Sequence, residues 1–376
     1  MITIFYIGCG TGSTDNNFKL FLYKLFTTQY FWADKVSRHV TYYKYHTPQE
    51  MIDGLKYKQK DRWSMVTTKE QNENFLNQKS IGFGFSYSKL EDNSSIVVFV
   101  RINSPADKAG LKRGDILLKV DDKNLTIENI KEATLNIDKK SKFLIYRPTL
   151  DKNLTINILA QEYSFKVTKA ILLRDNIGYM RLDSFTSKAT EEIDSAFDFF
   201  KSQDITNLII DVRYNSGGSI VTASILLDKL MRNVDNEVQF KLTWNKEYYA
   251  KNQIGRFETD SNSLDLDKII FLTTGVTASA SELVINALKP YKGDDIIIVG
   301  SKTHGKPVGM EGRTDGKYIY YLVNFVIANR DDFYDYFNGL DVTDGCFAPD
   351  DLTHQLGDSN ESMLKKALFY IDNGQC

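Results

Sequence analysis

The chain has 376 residues, which is enough for two or three domains. Its 42% hydrophobic and 26% charged residues are an ordinary globular balance with ample material for a core. A net charge of −2, from 47 basic and 49 acidic residues, gives no indication of a nucleic-acid partner, and no apolar run approaches the roughly 18 residues that a membrane-spanning helix needs.

The first 17 residues combine a short apolar stretch, a cysteine and a polar linker. Ile7-Gly8-Cys9 resembles the end of a bacterial lipoprotein signal, in which the cysteine becomes the acylated first residue. The apolar part is short and no basic residue precedes it, so the signal is incomplete as written. A start placed further upstream would explain both facts, and an incidental cysteine is the alternative. We therefore expect residues 1–17 to be a signal remnant and linker, with Cys9 as a candidate for lipidation and membrane anchoring.

The other two cysteines, Cys346 and Cys376, lie within the last 31 residues. A disulfide between them would tie the C-terminus to the preceding loop, as expected in an oxidising compartment. Two free thiols in a cytosolic protein are the alternative. Together with Cys9, this pair favours a protein of the periplasm or cell envelope, with a lipid anchor if Cys9 is acylated.

Residues 18–79 are predicted to form a small helical domain, because FKLFLYKLFTTQYFWADKV carries apolar residues at helical spacing. Thr47-Pro48-Gln49-Glu50 is typical of a helix start, with a capping Thr, Pro in the first turn and Glu as the return cap. The aromatic stripe at the front of this domain is more typical of a core than of a ligand surface.

Residues 80–163 change to the period of β-strands. The strand-like runs are IGFGFSYS, SIVVFVRI, GDILLKVDD, KFLIYRP and LTINILAQ. With the intervening SPADKAGL and KRGD segments they resemble a PDZ domain in the permuted form found in bacterial proteases. That resemblance implies a carboxylate-binding loop, whose glycines let successive N–H groups point at a chain-terminal carboxylate while the adjacent strand edge pairs with a peptide. The loop residues are Ile81, Gly82, Phe83, Gly84 and Phe85.

Residues 164–345 have an α/β pattern. The elements are a strand at 177–182, a helix at 189–201, a strand at 208–213 and a helix at 220–231. Between the last two lies a turn that contains Gly217 and Gly218. The Walker pattern and its lysine are missing, so this corner is a poor candidate for a phosphate cradle. Alternating strands and helices predict a mostly parallel sheet with its ligands at the carboxyl ends of the strands.

The same region continues with a strand at 269–272, small residues at 277–281, a helix from Glu282 that stops at Pro290, and a strand at 296–299. Ser279 therefore lies at the mouth of a helix, where a nucleophile is exposed and free N–H groups can hold an anion. Lys306 follows the next strand, and two adjacent parallel strands would place Ser279 and Lys306 side by side.

The segments IIDVRYNSGG, TASASELVINAL and IIIVGSKTHGKPVG together resemble the C-terminal processing peptidases, also called tail-specific proteases. These are serine proteases with a Ser–Lys dyad and an inserted PDZ domain, and the resemblance covers residues 80 to 345. It implies a multidomain α+β fold with a core related to ClpP and crotonase, no cofactor, and protein substrates recognised through their C-termini. It also implies that Ser279 is the nucleophile and Lys306 the general base.

The chemistry of this assignment requires a neutral lysine, because only then can Lys306 take the proton of a serine hydroxyl. Burial among apolar groups lowers a lysine pKa in the required direction. The N–H groups of Ala280 and of Gly217 or Gly218 are candidates for an oxyanion hole. Four histidines without a paired spacing do not indicate a metal site.

Several positions leave alternatives open. Ser281 is the second candidate nucleophile, because the gap to the lysine is slightly longer than in the family pattern. Met310 stands where the family often has a Gln that orients the lysine, so another group positions Lys306, or the dyad is weaker, or the third residue differs. His304 is more typical of a wall residue than of a base. Glu282 is expected to place a favourable charge in the first turn of its helix.

Residues 346–376 are predicted to form a C-terminal clasp with a helix at 362–371. Two other functions stay open for the whole chain. One is a catalytically weak or inactive protease scaffold that acts as a PDZ peptide-binding module. The other is a crotonase-like acyl-thioester enzyme, against which the PDZ-like segment argues. Nothing in the sequence indicates the oligomeric state.

Overall fold

A computed structural model describes residues 17–92, 94–137 and 139–376. The lipidation candidate Cys9 therefore lies outside the described residues. Within them, no helix combines the length and the apolar character that crossing a membrane requires. The helices are α1 (Asn17–Thr28), α2 (Pro48–Leu55), α3 (Lys69–Leu76), α4 (Pro105–Lys108), α5 (Ile127–Leu135), α6 (Ala189–Ser202), α7 (Ile220–Leu230), α8 (Ala280–Lys292) and α9 (Ser362–Asn373).

The strands of the first half are β1 (Met65–Thr68), β2 (Lys79–Gly82), β3 (Phe85–Lys89), β4 (Ser95–Val100), β5 (Ile116–Val120), β6 (Lys123–Asn124), β7 (Lys140–Arg147), β8 (Lys152–Leu159) and β9 (Gln161–Ser164). Those of the second half are β10 (Thr168–Arg174), β11 (Ile177–Leu182), β12 (Asn207–Asp211), β13 (Val238–Trp244), β14 (Gln253–Arg256), β15 (Lys268–Thr273), β16 (Ile296–Gly300), β17 (Val308–Thr314) and β18 (Tyr318–Ala328).

The N-terminal region contains the two predicted helices and a strand that the sequence did not reveal. Thr47 caps α2 as expected, since its side chain accepts the Glu50 N–H at 3.2 Å. β1 pairs antiparallel with the distant β18, so the predicted helical region also contributes one strand to a sheet. The apolar side chains of α1 and α2 pack with Val308, Tyr320 and Val323 in one buried cluster. The aromatic stripe is therefore core, as predicted, and it joins the N-terminal region to β17 and β18.

The PDZ-like region is a sheet in the order β3-β4-β5-β7-β8. β2 pairs separately with β9, so IGFGFSYS is two strands rather than one. The break falls where Gly82 and Gly84 have φ angles of +118° and +85°, which an extended strand cannot accommodate. Phe83 is buried between them and packs on Phe143 of the domain core.

The protease-like core is a sheet in the order β10-β11-β12-β15-β16, and β11, β12, β15 and β16 are parallel. Alternate strand residues face opposite sides. Ile269 and Phe271 pack with α6, α7 and α8, whereas Ile270 and Leu272 pack with α9. Burial of both faces explains why these strands read as continuous apolar runs. The carboxyl ends of the parallel strands lead into the loops that carry the candidate site.

α8 continues past Pro290 to Lys292, so the prediction that it stops at Pro290 is wrong. A proline has no N–H to give to the carbonyl four residues earlier, which here is the carbonyl of Asn286. That oxygen accepts instead from Asn329 Nδ2 at 3.2 Å. A tertiary contact thus satisfies the group that the proline leaves unpaired.

The C-terminal segment covers the edge of the core sheet. Gly300, at the end of β16, bonds to Cys346 and Ala348 through backbone hydrogen bonds of 3.1 and 3.0 Å. The predicted disulfide between Cys346 and Cys376 is present. α9 extends two residues beyond the predicted range and buries Met363 and Leu364 against the sheet.

Candidate active site

Ser279 lies at the N-terminus of α8 with φ +57° and ψ −116°. A non-glycine residue with positive φ is strained, and such residues persist only where the surroundings hold them. The surroundings here are the turn after β12. Thr277 Oγ1 donates to the Val212 carbonyl at 2.8 Å, and the Ala278 N–H donates to the Asn215 carbonyl at 3.1 Å. The turn therefore holds Ser279 partly exposed at the carboxyl edge of the sheet.

Ser281, the alternative nucleophile, has a different environment. Its side chain is 1% exposed, and its Oγ donates to the Asn215 carbonyl at 3.2 Å. A buried hydroxyl engaged with a backbone carbonyl supports the turn rather than meeting a substrate. The geometry thus favours Ser279 over Ser281.

Lys306 lies in the loop between β16 and β17 and is partly buried. Burial lowers the pKa of its ammonium to about 8, although the carboxylates of Glu282 and Asp61 oppose that shift. Among the described residues, no carboxylate lies within ion-pair distance of Lys306 Nζ. A lysine in these surroundings can exchange a proton near neutral pH.

Glu282 holds the two loops together. This fully buried carboxylate accepts the N–H groups of Ser279 (2.9 Å) and Lys306 (2.8 Å) on Oε2. Its Oε1 accepts Thr303 Oγ1 and the Gly305 N–H, both at 2.6 Å. Glu282 thus lies in the first turn of α8 as expected, but most of its hydrogen bonds are to the loop that carries Lys306. Because one oxygen binds both N–H groups, the backbones of Ser279 and Lys306 are held side by side, as the order of the strands predicts.

The glycine turn after β12 contacts Ser279 directly. The Gly217 N–H donates to Asn215 Oδ1 at 2.8 Å, so it is not free for an oxyanion. Within the described chain, no hydrogen bond uses the N–H of Gly218 or of Ala280. Of the three predicted donors, Gly218 and Ala280 therefore remain candidates. Gly217 instead allows the turn to approach Ser279 closely. An Asn two residues before a Gly is a turn signal from which the role of Asn215 could have been found.

His304 connects the loop that carries Lys306 to the loop that precedes Ser279. Its backbone N–H donates to the Thr277 carbonyl at 2.9 Å, and its Nδ1 lies 3.2 Å from the Gly275 carbonyl oxygen. Its ring packs edge-on against Trp63 of the N-terminal region. This placement agrees with the expected wall residue.

The PDZ-like loop uses its backbone carbonyls in hydrogen bonds but leaves two of its N–H groups without a partner among the described residues. The carbonyls of Phe83 and Gly84 accept the N–H groups of Ala106 and Arg101, each at 2.9 Å. In the described part of the chain, no hydrogen bond uses the N–H groups of Phe83 and Gly84 themselves. Ile81 is 49% exposed at the mouth of the loop.

A buried charge cluster links the PDZ-like region to the core and to the C-terminal segment. Arg113 donates to Tyr214, which lies three residues before Gly217, and forms an ion pair with Asp350 at 2.5 Å. Arg213, itself 1% exposed, forms ion pairs with Asp350 and Glu361 at 3.1 and 2.9 Å. The three parts of the chain thus meet beside the candidate oxyanion hole. Among the described residues, no group of three or more His, Cys, Asp or Glu side chains could hold a metal ion.

A serine and a lysine whose backbones share one carboxylate oxygen are placed as serine peptidases that use lysine instead of histidine require. Residues 176–322 match the family model "Peptidase family S41", residues 96–136 match a PDZ domain, and residues 17–65 match the peptidase S41 N-terminal domain. The chain thus matches peptidase family S41 in its core and in its N-terminal domain, with a PDZ match between the two.

Relatives and solved structures agree with this family. The chain is 28% identical over 291 residues to a protein of Staphylococcus epidermidis described as a CtpA-like serine protease, covering 73% of this chain and 55% of that protein. It is 30% identical over 226 residues to the carboxy-terminal-processing protease of Bartonella bacilliformis, covering 58% of this chain and 50% of that protein. The chain thus spans about half the length of these relatives. A crystal structure of an S41 protease from Bacteroides fragilis shares the fold, with a TM-score of 0.79 at 22% identity over 94% of this chain and 97% of that one.

Proposed function

We propose that the chain is a serine endopeptidase that cleaves flexible or unfolded proteins near their C-termini. The PDZ domain would bind the substrate's C-terminal carboxylate at residues 81–85, and cleavage would proceed through an acyl-enzyme on Ser279. The observation that carries this proposal is the shared bond to Glu282 Oε2, which holds the candidate nucleophile and base together. The lowered pKa of Lys306, about 8, supports the same roles.

The chemistry follows from these positions. Neutral Lys306 takes the proton of the Ser279 hydroxyl as Oγ attacks the scissile carbonyl carbon. The N–H groups of Gly218 and Ala280 stabilise the resulting oxyanion, and each such donor is worth roughly 3 kcal/mol in comparable enzymes. The Lys306 ammonium then gives its proton to the leaving amine as the C–N bond breaks. The regenerated lysine then deprotonates a water molecule as its oxygen attacks the acyl carbon, and the Lys306 ammonium returns the proton to Ser279 Oγ as the bond between Oγ and the acyl carbon breaks.

The cellular site is part of the proposal. We place the enzyme in the periplasm or cell envelope, because a disulfide such as Cys346–Cys376 persists in oxidising compartments. Lipid anchoring through Cys9 would hold it at the membrane. Fractionation of cells that express the full gene, with Cys9→Ser as the matched variant, tests this placement. Wild type in the cytosolic fraction would contradict it.

The activity is tested with an unstructured reporter that ends in an apolar C-terminus, using wild type, Ser279→Ala, Lys306→Ala and Ser281→Ala. Cleavage should be lost in the first two variants and retained in Ser281→Ala. A wild type that is inert on several reporters, with and without the apolar tail, would contradict the protease assignment. Binding of the same tails to the inert protein would then support a PDZ binding module.

A further inference from the structure

The loop of residues 60–64 in the N-terminal domain packs directly against the loop that carries Lys306. Arg62 donates to the carbonyls of Gly305 and Phe337 at 3.4 and 3.0 Å. The Trp63 ring packs on the rings of His304 and Phe337, at 6.4 and 6.2 Å between centroids. The N-terminal domain therefore forms one side of the surroundings of Lys306.

Asp61, in the middle of this contact, is a buried carboxylate that is 1% exposed. It accepts Tyr30 Oη at 2.7 Å, Ser64 Oγ at 2.6 Å, and the N–H groups of Trp63 and Ser64 at 2.9 Å each. These donors are neutral, so no ion pair among the described residues neutralises Asp61. A buried carboxylate without a paired cation attracts any cation nearby.

Met310 cannot fulfil the orienting role that a Gln would have at its position. It lies on β17, and its side chain packs against the apolar cluster of the N-terminal domain. A thioether supplies no N–H and only a weak acceptor. The polar influence on Lys306 must therefore come from other elements.

We propose that Asp61 is a positioning residue of the catalytic dyad, and that its carboxylate, with that of Glu282, stabilises the Lys306 ammonium that returns a proton to the leaving amine. This inference rests on the proposed function. Both carboxylates act through space, since their oxygens are occupied by other donors. The N-terminal domain thereby contributes directly to the reaction that the core performs.

Burial and the two carboxylates have opposite effects on the Lys306 ammonium. Burial alone destabilises the ammonium, and a lysine whose pKa falls too far is a weak base. Two unpaired carboxylates oppose the effect of burial and leave the pKa near 8. The charged or titratable groups packed around the loop are Glu282 from α8, Asp61 and Arg62 from the N-terminal domain, His304 and Lys302 from the loop itself, Asp341 paired with Lys302 at 2.6 Å, and Tyr336 behind Glu282.

The test compares the pH dependence of kcat/KM in wild type, Asp61→Asn, Ser64→Ala and Asp53→Asn. Asp61→Asn keeps the side-chain shape and one acceptor oxygen but removes the charge. Its acid limb should move to lower pH by about one unit, because the ammonium loses an opposite charge. Ser64→Ala removes the 2.6 Å hydrogen bond to Asp61 without removing the charge, and Asp53→Asn removes an exposed charge of the same domain. Neither control should move the limb.

Two results would overturn the proposal. One is an acid limb for Asp61→Asn that coincides with wild type, and the other is an equal shift in Ser64→Ala. The rate at which a fluorophosphonate labels Ser279 is measured over the same pH range, because only folded molecules are labelled. Asp61→Ser is included in this experiment as a second neutral variant. If neither neutral variant is labelled at any pH, Asp61 supports the fold and the proposal fails. In each case the wild-type profile and Ser279→Ala test the protease assignment separately.

Discussion

Gly217 lies so close to Ser279 that a Cβ atom at position 217 would come within 2.7 Å of the Ser279 Cβ. The φ of Gly217 is +104°, a region that other residues rarely adopt. Both the close approach to Ser279 and the positive φ thus require glycine at position 217. The glycine turn approaches the serine turn only because position 217 has no side chain, since a Cβ there would also lie 3.0 Å from the Ala280 nitrogen.

Gly217→Ala should therefore reduce kcat/KM by at least about 100-fold, the effect of losing one oxyanion donor. The new methyl group would push Ser279 and the glycine turn apart. Steady-state cleavage of the reporter and the melting temperature measure the effect. Gly275→Ala is the matched control, because a Cβ there meets no atom within 4 Å. Full activity in Gly217→Ala would refute the close approach.

Glu282→Gln should lower both stability and activity. The substitution replaces one carboxylate oxygen with an amide NH2 group, which is a donor. At least one of the buried N–H groups of Ser279, Gly305 and Lys306 then faces another donor. An unsatisfied buried donor costs about 1–3 kcal/mol. We expect a lower melting temperature and a kcat/KM reduced by roughly tenfold or more. Glu191→Gln, in the exposed first turn of α6, is the control. Equal behaviour of the two variants would show that Glu282 serves only as a helix-terminal charge.

The pH profile of wild type should rise through about pH 8 with the slope of a single proton, because Lys306 acts only when neutral. Activity is therefore lost as the pH falls below this pKa. Lys306→Arg keeps a positive charge that cannot be removed, so cleavage should fall by about 10²–10⁴-fold at every pH. A limb near pH 6.5 that persists in Lys306→Arg would instead indicate a histidine base.

Asp228, on α7, offers a stability test that does not depend on activity. Burial raises the pKa of its carboxyl to about 6. A raised carboxyl pKa means that the folded state loses stability as the pH rises from about 4 to 6 and does not regain it above. Asp228→Asn keeps the Oδ1 that accepts Gln239 Nε2 at 2.7 Å. It should raise the melting temperature by a few degrees at pH 7.5 and change little near pH 4.

The exposed Asp198 of α6 provides the control for that experiment. Asp198→Asn should leave the melting temperature unchanged at both pH values. An Asp228→Asn variant that melts lower at pH 7.5 would show that the charge contributes favourably to the fold.

The parts that the sequence predicted are those whose signal is local. Ser279 and Lys306 lie in short segments next to apolar strands, and the strand order alone predicts their proximity. The PDZ-like domain and the Cys346–Cys376 bond were likewise predicted. The PDZ-like domain is predicted through its resemblance to a family, and the disulfide through the position of two cysteines near the C-terminus.

The parts that the sequence did not predict depend on partners far away in the chain. Pro290 lies within α8 because Asn329 satisfies the freed carbonyl of Asn286. Glu282 has the position of a first-turn charge, and nothing nearby indicates that its oxygens reach Gly305 and Lys306. Asp61 is separated from Lys306 by most of the chain, so no local pattern could connect the two.

The pairing of β1 with β18 has a consequence for the time at which the enzyme is completed. The ribosome releases the N-terminal domain first, and domains generally begin to fold in that order during synthesis. The partners of this domain are made last, since Ser64 Oγ accepts the Val323 N–H at 3.1 Å and the apolar cluster includes Val326. A nascent chain in which β18 has not yet been synthesised therefore lacks part of the packing around Lys306. The packing around Lys306 is therefore complete only after translation has passed β18.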